Sequence, residues 1–430
     1  MHDARALLDP GTDAARRLAR RGHQLDVPVV EDLLTRRNKS IQLADELRAE
    51  SKRVANEVGA TARQGGDVAA LKDRARQLKD DVREVEAEQE RLATELHALL
   101  LGIPNLPLDD APDGDSEDDA VEIRQWGTPP RFDFAPKDHV DLGESLGILD
   151  LTRATKLAGP RFSVARGVGA ALERGLASFF LDLHTRHHGY VEMSVPHLVT
   201  AQTMTGTGQL PKFEDDLFRT STGSRDLYLI PTAEVPLTNL HAEEILDRAS
   251  LPLAYTSWTP CYRAEAGSYG RDTRGIIRVH QFSKVELVRI CAPEDSRAQL
   301  ELMLSHAETC LRQLGLAYRV VLLAAGDMGF SAQLTYDIEV WLPGQDRYRE
   351  ISSCSDCGAF QARRANIRTR TADGKREFVA TLNGSALPIG RTMAAVLEQG
   401  QQADGSVVLP EALVPFTGFR RIEPDGSAGD

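Results

Sequence analysis

The residues with the clearest chemical potential lie in one stretch of the chain, CYRAEAGSYGRDTRGIIRVHQFSKVE. Arg263 and Glu265 are two residues apart, so on a strand both side chains point to the same face. A Gly- and Arg-rich turn leads to a second apolar run. In this run the alternate positions are occupied by Phe282, Lys284 and Glu286. A guanidinium, a carboxylate and an aromatic ring suit the phosphate, amine and base of a nucleotide. A salt-bridged hairpin would use the same residue types, so this stretch alone leaves both interpretations open.

Two later stretches carry groups that suit polyphosphate. In NGSALPIGRTMAAVLEQGQ a Gly-rich turn delivers Arg391 to the start of a helix, and in YREISSCSD the carboxyl residue Glu350 precedes two hydroxyl residues, Ser352 and Ser353. Hard cations such as Mg²⁺ prefer carboxylate and hydroxyl oxygens, so this strand end could hold Mg²⁺ against a polyphosphate. An ordinary helix start and a polar strand terminus are the alternative interpretations.

The elements that must position these residues begin at Gln125. Short β-rich runs, among them YVEMSVPHLV, LYLIPTA, KVELVRI, YRVVLLA and TYDIEVWLP, alternate with helical stretches at 168–187 and 294–314. The alternation is irregular and the loops are tight, which favours a mixed α+β domain over a doubly wound parallel sheet.

The N-terminal part of the chain has a different pattern. Apolar residues recur at alternating spacings of four and three from Leu71 to Leu99, and a weaker seam of the same spacing runs from Leu33 to Val58. The sequence Gln64-Gly65-Gly66 interrupts the two runs. This pattern predicts an antiparallel helical hairpin with helices of about 28 to 35 residues, which form an arm on the order of 40 to 50 Å long.

Composition changes sharply after this arm. Residues 102–124 contain eight acidic residues and one Arg in a Pro-, Gly- and Asp-rich stretch, which is typical of a linker. The sequence therefore predicts an N-terminal arm over 1–103, an acidic linker over 104–124 and a catalytic domain over 125–430.

Overall composition excludes several classes of protein. The 430 residues include 51 Lys and Arg against 64 Asp and Glu, and a formal charge of −13 argues against a generally basic nucleic-acid binder. No apolar run reaches the roughly 18 residues of a membrane span, and the N-terminus lacks a basic and apolar leader. The five cysteines are odd in number and confined to the C-terminal half. We therefore expect reduced thiols, a cytoplasmic location and no membrane association.

These stretches resemble the three signature motifs of class II aminoacyl-tRNA synthetases, and within that class the seryl-tRNA synthetase family. GYVEMSVPHL is similar to motif 1, CYRAE through VHQF to motif 2, and GRTMAAVLEQ to motif 3. TGTGQLPKF, IPTAEVPLTN, YREISSCS and the PNLP sequence after the arm are similar to signatures of the seryl family itself. The resemblance covers essentially the whole chain. It implies a mostly antiparallel sheet flanked by helices and activation of L-serine by ATP with Mg²⁺, followed by transfer to tRNA.

The resemblance also implies roles in ATP binding. Arg263 would hold the α-phosphate and the serine carboxylate, Glu265 the adenine amine, Phe282 the adenine face and Arg391 the γ-phosphate. Glu350 and Ser353 would bind Mg²⁺. The catalytic set is Arg263, Glu265 and Arg391, and the wider ATP site adds Ala264, Val279, Ile351 and Ser352. Tyr262-Arg263-Ala264-Glu265 departs from the Phe-Arg-Ser-Glu that is more usual in the family, and Val279 stands where Met is common, while the charged residues are retained.

A second implied set binds L-serine. Thr232 and Glu234 would lie at the α-amino group, and Glu286 and Ser385 at the side-chain hydroxyl. The full set is Thr232, Ala233, Glu234, Arg263, Glu286, Asn383 and Ser385. No protein nucleophile is required, because the serine carboxylate itself attacks the α-phosphorus.

The family arm reaches the long variable arm of tRNA from the partner subunit, which implies a homodimer built on motif 1. The expected tRNA is tRNA(Ser), with tRNA(Sec) also expected. Candidate cationic contacts on the arm are Arg36, Lys39, Arg48, Lys52, Arg53, Lys72, Arg76, Lys79 and Arg83. About a third of them are expected to touch RNA, and the others to be solvated helix charges.

Other functions remain open from the sequence. A paralogue that confers resistance to a serine-mimicking inhibitor would keep every motif, and a tRNA-independent serine activator would keep the catalytic domain. A non-catalytic coiled-coil scaffold conflicts with the intact charged residues. The spacing Cys354-Ser-Asp-Cys357 could hold a metal, but no second ligand pair lies nearby.

Overall fold

The computed structural model describes residues 1–267 and 274–430. Part of the Gly- and Arg-rich turn of motif 2, residues 268–273, lies outside the described residues. The chain divides into two compact units, Met1–Pro104 and Asn105–Asp430.

The first unit contains the predicted helical hairpin, and two short helices that were not predicted precede it. Its helices are α1 (Ala4–Leu8), α2 (Ala14–Ala19), α3 (Val27–Arg63) and α4 (Ala69–Leu101). The Asp26 side chain caps α3 by accepting a hydrogen bond from the Val29 N–H, and α3 ends directly before the predicted Gln64-Gly65-Gly66 break. With 37 residues α3 is slightly longer than predicted, and α4 has 33.

The predicted seam packs the two long helices against each other. The residues of this seam that are buried are Leu33, Ser40, Ala44, Val54, Leu78, Leu92 and Leu96. The Ser40 hydroxyl donates to the Val85 carbonyl oxygen at 3.2 Å, so small residues on α3 allow the close approach of α4. Near the end of α4, Leu100 is buried instead of the predicted Leu99.

The acidic segment after the arm is packed within the second unit. The Asn105 amide donates to the carbonyl oxygens of Ser331 and Cys357, at 2.9 Å each. The Leu108 N–H donates to the Gln333 carbonyl oxygen at 2.8 Å, and the first strand already begins at Val121. From Asn105 onward the predicted acidic linker, 104–124, pairs its backbone with neighbouring segments of this unit, as an extended chain can.

The second unit is an α+β structure with a mostly antiparallel sheet, as predicted. In the described residues the main sheet has eight strands, in the order β1-β8-β9-β10-β13-β7-β6-β2, and β2 pairs in parallel with β6 at one edge. These strands are β1 (Val121–Trp126), β2 (Val191–Glu192), β6 (Leu253–Tyr262), β7 (Gln281–Cys291), β8 (Tyr318–Leu322), β9 (Leu334–Leu342), β10 (Arg347–Asp356) and β13 (Ala380–Pro388). Smaller sheets contain β3 (Leu198–Val199), β4 (Arg219–Thr222), β5 (Arg225–Leu229), β11 (Arg368–Arg370), β12 (Arg376–Phe378), β14 (Val407–Val408), β15 (Arg421–Ile422) and β16 (Ala428–Gly429).

Helices cover one face of this sheet and form the main core with it. The helices of the second unit are α5 (His139–Ser145), α6 (Leu151–Ala158), α7 (Val168–Arg186), α8 (Ala201–Thr207), α9 (Glu234–Asn239), α10 (Ser296–Gln313), α11 (Phe360–Ala365), α12 (Ile389–Gly400) and α13 (Val414–Thr417). The apolar faces of α7, α10 and α12 pack against alternate residues of the central strands, such as Leu287 and Leu382. The intervening residues, which include Glu286, point to the opposite face.

A buried carboxylate anchors the helix of motif 3. The Glu398 Oε1 atom accepts a hydrogen bond from the His139 N–H at 3.0 Å and lies 2.8 Å from His139 Nδ1. Its other oxygen accepts from the Gly344 N–H at 2.8 Å. These contacts fix α12, whose first turn carries Arg391.

No helix in the described part of the chain is both long enough and apolar enough to cross a membrane.

Candidate active site

One cavity brings most of the predicted nucleotide residues together. It lies beside the ends of β6, β7, β10 and β13, at the start of α12. The predicted residues that line it are Arg263, Glu265, Val279, Phe282, Glu350, Ile351, Ser385 and Arg391. Lys284, Arg278 and the apolar residues Ile276 and Ile277 complete much of its wall. Residues more than 120 positions apart therefore share one cavity.

Arg263 and Phe282 lie next to each other in the wall of this cavity. The Arg263 guanidinium carbon lies 5.2 Å from the centroid of the Phe282 ring, and its Nε atom donates to the Pro231 carbonyl oxygen at 3.3 Å. Cys261 is paired with Phe282 across β6 and β7. Because Arg263 lies only two residues beyond Cys261, its side chain can reach the Phe282 ring at this end of the hairpin. A fixed guanidinium beside an aromatic ring can bind phosphate and stack on a base.

Glu265 is held in an unusual backbone conformation. Its φ angle is 54°, in the left-handed region that non-glycine residues rarely adopt. Asp216 fixes the backbone on both sides, because its carbonyl oxygen accepts from the Ala264 N–H and its Oδ1 atom from the Ala266 N–H. The Glu265 carboxylate accepts from Arg278 at 2.6 Å and is largely buried. The predicted Ala264 thus contributes its backbone N–H to this turn.

Glu350 and Arg391 pair with each other across the cavity. The Arg391 NH1 atom lies 3.1 Å from Glu350 Oε2 and also donates to the Glu350 carbonyl oxygen at 2.9 Å. The Arg391 Nε atom donates to the Ile277 carbonyl oxygen at 3.2 Å. The Arg391 charge, opposed by burial, lowers the pKa of Glu350, so this carboxylate is ionised at neutral pH.

The residues around Glu350 fit a divalent cation. Ser353 is paired across β9 and β10 with Asp337, whose buried Oδ1 atom has no hydrogen-bond partner among the described residues. Burial and then the Glu350 charge raise the pKa of Asp337 well above its ordinary value. An ionised carboxylate, a hydroxyl and an unsatisfied carboxyl oxygen are the hard oxygen donors that Mg²⁺ prefers. Ser352 is turned elsewhere and donates to the Ser385 carbonyl oxygen at 2.6 Å.

Glu286 is the most deeply buried acid of the predicted serine site. Its Oε2 atom accepts from the Thr232 hydroxyl at 3.1 Å and forms an ion pair with Lys284. Its Oε1 atom is buried and has no hydrogen-bond partner in the described structure. Ser385 is paired with Glu286 across β13 and β7, so the two side chains share a face. A buried oxygen without a donor is costly, and a bound hydroxyl would satisfy it.

Glu234 lies close to this acid and is also buried. Its Oε1 atom accepts from the Gln361 amide at 2.6 Å, and its N–H donates to the Thr232 hydroxyl at 3.2 Å. Burial, and next the Glu286 charge, raise the pKa of Glu234 to about 7. Two carboxyl groups in one enclosed space create a site for a cation such as an ammonium group.

The other predicted residues have more varied positions. Asn383 is half-buried, and its Oδ1 atom accepts a weak hydrogen bond from the Cys357 thiol at 3.7 Å. Ala233 is fully buried in a separate apolar cluster and precedes α9. Val279 is also buried, although it lines the nucleotide cavity. These two residues supply apolar packing.

Several polar residues of the site were outside the predicted set. Asp216 and Arg278 hold Glu265, Gln361 orients Glu234, and Asp337 lies behind Ser353. Lys284 had a sequence signal, since it alternates with Phe282 and Glu286 on one strand. The other four lie on separate segments, and nothing in their local sequence indicates the contacts.

The Cys354 and Cys357 pair has the properties of buried core thiols. Both residues are buried, and burial raises the pKa of Cys354 to about 12, so its thiol stays protonated. Within residues 1–267 and 274–430 no group of three or more His, Cys, Asp or Glu side chains is arranged to hold a metal ion. The C-x-x-C spacing of Cys354 and Cys357 is therefore not accompanied by the further ligands that a zinc site needs.

Comparisons with known proteins match both units of the chain. The family model for the seryl-tRNA synthetase N-terminal domain matches residues 1–107, and the model for the tRNA synthetase class II core domain (G, H, P, S and T) matches residues 213–400. A serine–tRNA ligase 2 of Streptomyces avermitilis is 62% identical over 428 residues, which cover 99% of this chain and 100% of the relative. A serine–tRNA ligase of Nitratidesulfovibrio vulgaris is 54% identical over 405 residues, which cover 94% and 95%.

A solved structure extends the match to the fold. The seryl-tRNA synthetase of Pyrococcus horikoshii, crystallised with ATP, is 36% identical and superposes with a TM-score of 0.91 over 99% of this chain and 100% of that one. The matches in sequence and in structure agree over almost the whole length. The chain therefore belongs to the seryl-tRNA synthetase family of class II aminoacyl-tRNA synthetases.

Proposed function

We propose that this chain activates L-serine with ATP and transfers the seryl group to tRNA(Ser), and also to tRNA(Sec). The observation that carries the choice of serine is the buried Glu286 Oε1 atom, which lacks a donor beside the nucleotide cavity. The serine hydroxyl is a donor of the right size for this position. Family membership supports both half-reactions.

In the first half-reaction an oxygen of the serine carboxylate attacks the α-phosphorus of ATP, and pyrophosphate leaves with the bonding electrons. Arg263 would hold the α-phosphate and the serine carboxylate, Phe282 would stack on adenine and Glu265 would accept from its amine. Pro231 already fixes Arg263 and Arg278 already fixes Glu265, so catalysis would rely on positioning and charge neutralisation.

The paired charges of the cavity suit magnesium and triphosphate. Arg391 would turn from Glu350 to the γ-phosphate, and Glu350 and Ser353 would hold Mg²⁺. A Mg²⁺ ion held there would supply positive charge that neutralises the phosphates. Arg391 would then exchange one negative partner, Glu350, for another, the γ-phosphate. Glu350 would likewise exchange the positive Arg391 for Mg²⁺, and this exchange limits the cost of desolvation.

The serine pocket would select its substrate by hydrogen bonding and by size. Thr232 and Glu234 would receive the α-amino group, while Glu286 and Ser385 would bind the hydroxyl. Alanine would leave Glu286 Oε1 unsatisfied, and sites built to bond a hydroxyl reject such analogues by roughly 10⁴ or more. The small, buried surroundings of Thr232 and Ser385 would exclude the extra methyl group of threonine.

The helical arm would hold tRNA from the partner subunit of a homodimer. Among the nine arm cations proposed from the sequence, Arg36, Arg48 and Arg76 pair with acidic side chains of the arm. No ion pair occurs in the described residues for Lys39, Lys52, Arg53, Lys72, Lys79 or Arg83, so these six are the stronger contacts for phosphate. Motif 1 supports a dimer contact at the sheet edge, where Val191 is 56% and Trp258 is 46% exposed. We also propose a cytoplasmic location.

Parallel charging of purified tRNA with serine, threonine and alanine tests the proposed function. We expect serine to be attached to tRNA(Ser) and the other two amino acids to be attached at most at a trace level. Equal charging with threonine, or serine-dependent pyrophosphate exchange without any charging of tRNA, would contradict the proposal.

The Glu286→Ala variant should lose serine activation while it still binds ATP. We expect serine-dependent ATP–pyrophosphate exchange to fall by at least about 100-fold, because the hydroxyl loses a charged acceptor and Lys284 loses its partner. Equilibrium binding of ATP should stay within about three-fold of wild type. Glu308→Ala is the matched control, since Glu308 is a buried carboxylate paired with Arg124 outside the cavity. Exchange by Glu286→Ala at the wild-type rate would refute the role of Glu286.

The Arg391→Ala variant should use ATP poorly. Loss of a charge-assisted contact to the γ-phosphate should lower kcat/KM for ATP by at least about ten-fold in the exchange assay. Arg319→Ala is the control, because Arg319 pairs with Glu339 on the sheet away from the cavity. Wild-type kcat and KM for ATP would remove Arg391 from the site.

Binding of serine should depend on pH through Glu234. Its carboxyl is protonated below about pH 7 in the free protein, and only the ionised form attracts the serine ammonium group. The KM for serine should therefore rise as pH falls below about 7, by up to about ten-fold per pH unit. Exchange assays between pH 5.5 and 8.5 measure this profile, and Glu234→Gln should make it flat. A KM for serine that does not change across this range in wild type would contradict the assignment.

A further inference from the structure

The segment 274–277 leads from the Gly- and Arg-rich turn of motif 2 towards β7 and forms part of the nucleotide cavity. Ile276 and Ile277 line the cavity, and the Ile277 carbonyl oxygen accepts a hydrogen bond from the Arg391 Nε atom at 3.2 Å. The segment belongs to no helix or strand, so a regular hydrogen-bond ladder does not fix its backbone. The orientation of Arg391 therefore depends on the contacts that hold this segment.

His139, the first residue of α5, makes such a contact. The Ile276 N–H donates to the His139 Nε2 atom at 3.4 Å, and both residues are buried. Gly275 has a φ angle of 91°, and a Cβ atom there would lie 2.4 Å from His139 Nε2. Glycine thus allows this backbone to approach the ring closely. Arg274 adds an ion pair with Asp141 of α5.

The other nitrogen of the His139 ring faces the end of α12. Its Nδ1 atom lies 2.8 Å from Glu398 Oε1, which also accepts from the His139 N–H at 3.0 Å. The second oxygen of Glu398 accepts from the Gly344 N–H at 2.8 Å. Because both carboxylate oxygens act as acceptors, Nδ1 is the donor to Glu398, and the Nε2 lone pair is available to the Ile276 N–H. The imidazole therefore has a directed hydrogen bond on each side.

These contacts form one connected path between the two ends of α12. Glu398 near its C-terminal end holds His139, His139 holds Ile276, and the carbonyl of the next residue, Ile277, holds Arg391 in the first turn of the helix. Among the described residues, those that line the nucleotide cavity do not include His139. Any effect of His139 on a substrate must therefore pass through the residues that it holds.

We propose that His139 is a positioning residue for the triphosphate: it fixes Ile276 and Ile277, and the Ile277 carbonyl orients Arg391 towards the γ-phosphate. This inference rests on the proposed function, because it uses the assignment of Arg391 to ATP. Loss of His139 should therefore weaken the use of ATP and leave the use of serine unchanged, since Glu286 and Glu234 have no contact with this path.

The His139→Asn variant tests this proposal in the full chain. Asparagine can keep a donor for Glu398, but it is too short to accept from the Ile276 N–H. The KM for ATP and the KM for serine are measured by serine-dependent pyrophosphate exchange, in the wild-type background and in the Arg391→Ala background. His241→Asn is the matched control, because the His241 ring also lies between a carboxylate, Glu244, and a second polar partner, the Tyr255 hydroxyl.

We expect His139→Asn to raise the KM for ATP about 3- to 10-fold, the range of one net hydrogen bond, with the KM for serine within about two-fold of wild type. In the Arg391→Ala background the same substitution should change the KM for ATP by less than about two-fold, because no guanidinium remains to be oriented. His241→Asn should keep both KM values within about two-fold. A general loss of stability would instead add its effect to that of Arg391→Ala.

A wild-type KM for ATP in His139→Asn would overturn the proposal. An equal rise in both KM values, or an undiminished effect in the Arg391→Ala background, would do so as well. Should His139→Asn fail to fold, Gly275→Ala separates the segment from the ring without a change in the buried His139–Glu398 pair. It should raise the KM for ATP at least about three-fold, and a wild-type value would overturn the proposal. Failure of the proposed function would differ, since the wild-type chain would then show no serine-dependent exchange.

Discussion

The site depends on a buried carboxylate, Glu286, in the middle of a hydrophobic sheet. An isolated ionised carboxylate in such a position would be strongly unfavourable. Lys284 on the same strand and Thr232 from a distant loop compensate one of its oxygens, and the other oxygen remains for a ligand. Near this carboxylate the residues on the same face of β7 and β13, Lys284 and Ser385, are polar.

The alternation of β-strands makes this arrangement possible. On β7 and β13 the residues that face the helices, such as Leu287 and Leu382, join the main core, while Glu286 and Ser385 line the site. One sheet thus provides a stable core and a polar surface within a single layer. Helix α12 connects the core to the site, because its apolar face packs in the core and its first turn carries Arg391. Near the other end of this helix, Glu398 is fixed by His139.

Three acidic side chains of the site are paired with basic side chains of the protein. Glu350 pairs with Arg391, Glu265 with Arg278, and Glu286 with Lys284. Such pairs keep the unliganded state from holding uncompensated charges, yet each contains a group that a nucleotide or an amino acid can engage. Glu234 differs, because its hydrogen-bond partner is the neutral Gln361 amide, and burial followed by the Glu286 charge raises its pKa. Preorganisation in the cavity is therefore mostly electrostatic.

The sequence by itself determined the helical arm, the α+β class and most of the nucleotide cavity. Heptad spacing and strand alternation are local patterns, and the motif residues Arg263, Glu265, Phe282, Glu350 and Arg391 keep their spacing within short segments. Only the tertiary structure decided that Asp216 fixes the turn at Glu265, that the Gln361 amide donates to Glu234, that Asp337 lies behind Ser353, and that the acidic segment packs within the second unit. These contacts join segments that are far apart in the chain, and their side chains are common types whose partners are set by strand register and loop packing rather than by neighbouring residues.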